Sequence, residues 1–262
     1  MRHITIHTHD PHTREERTVR NTPRVAVVTG GSRGIGRAVT RRLTAAGFDV
    51  VVVYAADEGA AAETIKEIEA EGRTGLAIKA DIADAIAVSR AFDEVEDRFG
   101  GIDAVVNSAG IMPLAPIAGL DLDDLDRVLR TNVRGAFVVT QQAVRRVRAG
   151  GAVVLFSTTV TRTHLPDYGA YAATKAAVEG LVPIVAKELA GRDITVNAVA
   201  PGPTATDLFF EGKPHEVVER IAGASPMGRL GTPEDVAEVV AALTGPARWI
   251  NGQTIFANGG LA

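Results

Sequence analysis

The chain contains no cysteine, which excludes disulfides, thiolate catalysis and cysteine-ligated zinc, and leaves the redox compartment undetermined. It has no excess of positive charge either. The formal net charge is −4 at pH 7, neither half is strongly basic, and aromatic residues make up only 5%. There is therefore neither the basic stripe nor the aromatic platform that nucleic-acid binding uses. No apolar run reaches the ~18 residues of a membrane span. Residues 1–22 lack the apolar middle of a secretory signal, so nothing points to export and a cytoplasmic location is expected.

What is present is apolar material, 46% of 262 residues, enough for the core of one sizeable domain. Residues 1–22 read as a flexible extension; it carries His3, His7, His9 and His12 without a helical face or a carboxylate cluster to make them a metal site. Ile4 and Ile6 leave a short edge strand open there. From residue 23 to 262 there is no break in composition, so a single domain is expected. Short apolar runs alternate with helical spacing. Strands are expected at 25–28, 50–53, 76–79, 104–106, 152–156, 194–199 and 254–257. Helices are expected at 35–46, 60–71, 88–99, 122–148 and 170–189, and at 233–243 with Thr232 as N-cap and Pro233 at the first position. Such alternation implies an α/β fold, a doubly wound, Rossmann-type parallel sheet of about seven strands with helices on both faces.

Two stretches carry chemistry. Thr29-Gly-Gly-Ser-Arg-Gly-Ile-Gly36 lies between the first strand and the first helix, where such a sheet binds phosphates. Gly30 permits a tight turn, Gly34 lets backbone approach a pyrophosphate, Gly36 lets helix and strand pack closely, and the helix N-terminus offers free N–H groups. Tyr171-Ala-Ala-Thr-Lys175 places a phenol and an amine on one face of a helix. A nearby cation favours phenolate over phenol, so Lys175 is expected to lower the tyrosine pKa toward a useful range. Tyr168 has Ala172 four residues on and so lacks such a partner; it is expected at the substrate entrance.

These stretches, with Asn107-Ser-Ala-Gly110 after the fourth strand and Pro201-Gly202 after the sixth, resemble the short-chain dehydrogenase/reductase family over essentially all of 24–262. Within it the chain is similar to β-ketoacyl-acyl-carrier-protein reductases and their relatives. The resemblance implies an NADP(H)-dependent oxidoreductase moving a hydride between nicotinamide and a carbonyl or secondary alcohol, in the direction of reducing a ketone or 3-oxoacyl group. The other reading kept open is a non-catalytic NADP-binding sensor of the same fold.

The implied catalytic group is Asn132, Thr158, Tyr171 and Lys175. Thr158 falls thirteen residues before Tyr171, where most relatives carry serine, and Ser157 stays open as the alternative hydroxyl. Tyr171 would be acid in reduction and base in oxidation, Thr158 would steady the developing alkoxide, and Asn132 would hold a water linking Lys175 to solvent. No metal is implied. The implied dinucleotide contacts are Gly30, Ser32, Arg33, Gly34, Ile35 and Gly36 of the loop, and Tyr54 and Ala55 at the end of the second strand. Asp81 and Ile82 would border adenine, while Asn107, Ala109 and Gly110 would line the ribose side. Tyr171, Lys175, Pro201, Gly202, Thr204 and Thr206 would complete the nicotinamide end. No carboxylate closes the second strand before Asp57, and Arg33 sits where NADP-using relatives place a cation against the 2′-phosphate, so NADP(H) is expected. Asp81 could otherwise be a helix cap.

Substrate contacts are expected from residues 111–119, 159–169 and 204–229, the last read as a lid carrying Phe209, Phe210 and Met227. With no Arg or Lys beside the catalytic residues in sequence, a small charged acid is not favoured. Arg145, Arg146, Arg148 and Arg192 are candidates for docking an acyl carrier protein, or else solvated helix-end charges. The resemblance also implies a homotetramer.

Overall fold

The computed structural model describes residues 23–262, so the expectations for the first 22 residues, including their histidines and Ile4 and Ile6, lie outside the described residues. Seven strands form one parallel sheet: β1 (Arg24–Thr29), β2 (Phe48–Tyr54), β3 (Gly75–Lys79), β4 (Ile102–Asn107), β5 (Val147–Phe156), β6 (Thr195–Pro201) and β7 (Thr254–Ala257). Their order is β3-β2-β1-β4-β5-β6-β7. The chain moves outward from β1 to β3, returns to β4 on the other side of β1, and continues outward to β7. The crevice outside the carboxyl ends of β1 and β4 is thus the switch point where open α/β sheets bind ligands.

The Val-rich strands are buried on both faces, which is why they read as continuous apolar runs rather than alternations. Successive side chains point to opposite faces. Val25 and Val27 enter one core with Phe92, Val139 and Val182, while Ala26 and Val28 enter the other with Leu43, Ile68 and Val240. The first face is covered by α3 (Ala85–Phe99), α5 (Gly135–Arg146) and α7 (Gly169–Glu188), the second by α1 (Gly34–Ala45), α2 (Glu58–Ala70) and α10 (Pro233–Leu243). Caps follow the sequence signals. Asp57 accepts from Ala60 N–H, Asp84 from Ile86 and Ala87 N–H, and Thr232 and Asp235 form a capping box. Asp84, not Asp81, caps α3.

Three expectations need correction. The helix expected over 122–148 is divided into α4 (Leu122–Val128), a π-helical segment (Leu129–Arg134) and α5. It stops at Arg146 because Val147 turns extended and pairs with Ile102 of β4. The segment read as a lid loop contains α8 (Asp207–Phe210) and α9 (His215–Ala224), and the loop after β5 contains α6 (Val160–Thr163). Among the described residues no helix is long and apolar enough to cross a membrane.

Candidate active site

At the switch point a cavity of about 840 Å³ opens. Its phosphate end is a consequence of the glycine loop. Gly30 and Gly34 take φ of 66° and 49°, in the left-handed region. A Cβ on Gly36 would lie 2.1 Å from the Gly30 carbonyl oxygen, so only glycine lets α1 start this close to β1. The N-cap residue of α1, Arg33, makes no side-chain cap, and the first turn contains no acid. The orphan N–H groups of that turn therefore remain for an anion. Ser32, Arg33 and Ile35 line the cavity beside the three glycines. Arg33 is exposed, and no side-chain hydrogen bond or ion pair ties it among the described residues.

Tyr54, Ala55 and Asp57 also line the cavity. The Asp57 carboxylate is already turned to the α2 N-terminus, where it accepts from Ala60 N–H at 2.9 Å. Asp81 and Ile82 form the neighbouring wall. Asp81 accepts from Ala83 N–H at 2.9 Å and from Arg130 at 2.6 Å. Burial works against its charge, yet those two donors together hold its carboxyl below the ordinary value. Ala109, Gly110, Pro201, Gly202, Thr204 and Thr206 complete the expected lining.

Asn107 does not line the cavity. Its side chain sits 5% exposed behind the wall, accepting from the Thr29 hydroxyl at 2.6 Å. It ties β4 to β1 beneath the glycine loop, while Ser108 takes a place in the lining. The physical reason is strand alternation, which sends consecutive side chains to opposite sides.

The expected catalytic group is brought together. Tyr171 and Lys175 lie one turn apart on α7, and both line the cavity with Thr158. Thr158 stands beside the Tyr171 phenol, near enough to act on its pKa as a hydrogen-bonding partner. The neighbouring Ser157 hydroxyl is instead donated to Glu179 at 2.6 Å, so of the two candidate hydroxyls Thr158 is the one beside the phenol. Lys175 Nζ donates to the Phe156 carbonyl at 2.8 Å and stands 5.7 Å from the Tyr171 ring centroid.

The expected lowering of the tyrosine pKa is not found. Burial pushes the phenol up to about 12, a rise the Thr158 hydrogen bond partly offsets and Tyr168 adds to. Lys175, stripped of water, is itself lowered to about 8. Desolvation dominates both shifts, and the amine is aimed at a backbone carbonyl rather than at the phenolic oxygen. Tyr168 lines the cavity edge-on to Tyr171, with ring centroids 6.4 Å apart.

Asn132 occupies the π-helical segment and is 3% exposed. Its Oδ1 accepts from Ile111 N–H and its Nδ2 donates to the Ile111 carbonyl, both at 2.9 Å, with Thr174 Oγ1 3.2 Å from Nδ2. Single π turns inside α-helices often mark functional positions. Asn132 is not part of the cavity wall but stands behind it: a Cβ on Gly110 would lie 3.2 Å from its Oδ1 and 3.5 Å from Lys175 Nζ. Amide and amine thus border the same narrow gap, and Oδ1 keeps a second lone pair for it.

The far part of the lining is apolar, with Leu165, Leu208, Phe209, Ile221 and the near-terminal Leu261. Phe209 is there as expected; Phe210 and Met227 are exposed and outside it. Met227 packs against Gly259 near the C-terminus. Leu261 has no signal in the sequence, since only tertiary structure brings the tail back. Of the four candidate docking arginines, Arg146 pairs with Asp93 and Glu96, Arg148 with Asp103, and Arg192 donates to the Val144 and Val147 carbonyls. Three of the four are therefore engaged within the fold.

A family model described as Enoyl-(Acyl carrier protein) reductase matches residues 30–262. An NADPH-dependent aldehyde reductase-like chloroplastic protein of Arabidopsis thaliana is 43% identical over 252 residues, 90% of this chain and 93% of that one. A hydroxynaphthalene reductase-like protein of Metarhizium majus is 39% identical over 251 residues, covering 90% and 94%. Among solved structures, a short chain dehydrogenase from Burkholderia cenocepacia in complex with NADP superposes with a TM-score of 0.85 at 40% identity, over 91% of this chain and 97% of that one.

Proposed function

The chain belongs to the short-chain dehydrogenase/reductase family, and we propose that it uses NADPH to reduce an uncharged ketone, or the 3-oxo group of an acyl substrate, to a secondary alcohol. It is an NADP(H)-dependent oxidoreductase. The observation that carries the narrower reading is the meeting of the Tyr171 and Thr158 hydroxyls in a cavity lined by both the glycine loop and an apolar set. An intact proton donor and an intact lysine leave the sensor reading without support.

The residues fit the dinucleotide. The uncapped start of α1 and the Gly30, Gly34 and Gly36 cradle suit its pyrophosphate, Asp81 and Ile82 its adenine, and Arg33, untied among the described residues, the 2′-phosphate. When bound, NADPH supplies a hydride to the carbonyl carbon. Tyr171, with a pKa near 12, keeps its proton at neutral pH and delivers it to the carbonyl oxygen. Thr158 donates a hydrogen bond to that oxygen as negative charge develops there. Lys175 would hold the nicotinamide ribose hydroxyls, and Asn132 Oδ1 would steady a water through which the proton is replaced. The three engaged arginines favour a free carbonyl compound over one presented by a carrier protein. Leu122, Leu129 and Phe137, 69%, 40% and 53% exposed, lie at helical spacing along α4 to α5 and suit contact with a second copy in a homotetramer.

The test is NADPH consumption against aromatic ketones, diketones, acetoacetyl and 2-enoyl thioesters, aldehydes and sugars. Turnover confined to enoyl thioesters or sugars overturns the proposal. Arg33→Ala should weaken NADPH by about tenfold to a hundredfold, as loss of a charge-assisted phosphate contact does, and barely change NADH. Equal losses for both cofactors, measured by titration, would refute that role.

A pH dependence follows from the amine. Lys175 is charged below about pH 8 and neutral above it. Affinity for NADPH should therefore fall as pH rises through that value, whereas Tyr171 remains protonated throughout. Fluorescence titrations giving one dissociation constant from pH 6.5 to 9.5 (an interval chosen to span roughly 1.5 units on either side) would contradict it.

A further inference from the structure

We propose that Glu179 is a positioning residue that holds Thr158 in place for catalysis, an inference that rests on the reading of Thr158 given above. Tyr171, Lys175 and Glu179 recur at every fourth position of α7 and so form one stripe along the helix. Each takes hold of the end of β5. Tyr171 sets its phenol beside the Thr158 side chain, Lys175 donates to the Phe156 carbonyl at 2.8 Å, and Glu179 Oε1 accepts from Ser157 Oγ at 2.6 Å. Three successive helical turns thereby grip three consecutive residues.

Glu179 grips the turn from its other side as well. Its Oε1 lies 2.7 Å from Thr161 Oγ1, which in turn lies 2.9 Å from the Thr158 carbonyl. Thr158 is thus flanked in sequence by two hydroxyl residues fastened to one carboxylate oxygen. Its own hydroxyl meets little else that would fix it: Oγ1 accepts from Val160 N–H at a long 3.3 Å. A threonine has few χ1 options, so the direction of its hydroxyl follows the backbone of the turn, and that backbone is what Glu179 fastens. The side chain does not line the cavity; it acts through Ser157 and Thr161.

The experiment uses the full chain with NADPH and the best carbonyl substrate. Glu179→Ala should lower kcat by about tenfold to a hundredfold, the cost of sub-ångström misplacement of a group at the reacting centre. NADPH affinity and substrate KM should stay within about twofold. Glu179→Gln, which keeps an acceptor oxygen, should restore most of the loss. The double variant Ser157→Ala/Thr161→Val should reproduce the loss, and adding Glu179→Ala to it should cost little more. That pattern of kcat without KM, together with amide rescue, would not come from general destabilisation. Thr158→Val is measured alongside. If it abolishes turnover while Glu179→Ala and the double variant keep kcat within about twofold, the positioning role is overturned and the Thr158 reading stands. If Thr158→Val is itself fully active, both fall.

Discussion

Tyr171→Phe should lower kcat for carbonyl reduction by about 10²–10⁴-fold, the range lost with a positioned general acid, while the protein still binds NADPH. The substitution removes one oxygen and keeps the ring. The edge-on contact with Tyr168 and the Lys175 bond to the Phe156 carbonyl involve no atom that is lost, so the cofactor pocket has no reason to collapse. What disappears is the only phenolic proton that Thr158 touches. The substrate oxygen must then take its proton from water, and no side chain of comparable geometry stands ready. Tyr168 also lines the cavity, but it lacks a lysine one turn on. Steady-state rates and a fluorescence titration of the same preparation check both halves. A variant with near-normal kcat would remove Tyr171 from the reaction.

Thr158→Val should cost about 10²–10³-fold in kcat, with kcat/KM falling in parallel, because the hydrogen bond it removes strengthens only as the oxygen gains charge. Valine nearly matches threonine in shape, so the 8% exposed site is filled and the weak Val160 N–H contact is the main other loss. The same change also takes away the hydrogen bond that restrains the rise of the Tyr171 pKa. Phenol and hydroxyl therefore act as a unit, and the Tyr171→Phe/Thr158→Val double variant should be little slower than Tyr171→Phe alone. Thr158→Ser should remain active. Full additivity of the two losses, read from single and double variants under one set of conditions, would mean that the two hydroxyls serve separate steps.

Much of this was legible before any coordinates. The sheet could be read because β1, β2, β4 and β5 are buried on both faces, and each therefore carries a continuous apolar stretch. The glycine loop could be read because its position between a strand and a helix has only a few physical uses. The π-helical segment could not: one extra residue in a turn barely disturbs apolar spacing, and Asn132 alone hinted that something in that helix was different. Helices α8 and α9 were hidden by the Gly and Pro residues around them. The direction of the Tyr171 pKa was missed for a different cause. Spacing along a helix tells which side chains are neighbours, but not that the amine is turned toward the Phe156 carbonyl, nor how much water each group has lost. Asn107 failed on alternation, since Ser108, the next residue, faces the cavity and Asn107 turns back to Thr29. Leu261 reaches the site only through the return of the tail.

The double clasp between the Asn132 amide and the Ile111 backbone matters to anyone reshaping this protein for bulkier molecules. The clasp ties Ile111 to the π-helical segment and, through Thr174, to the helix bearing Tyr171 and Lys175, so trimming around Ile111 would tug on the reaction machinery itself. Leu208, Phe209 and Ile221 stand on short helices outside both sheet faces, so enlarging the chamber there leaves that machinery alone. The molecule separates a part that tolerates redesign from a part that does not, and one asparagine marks the border.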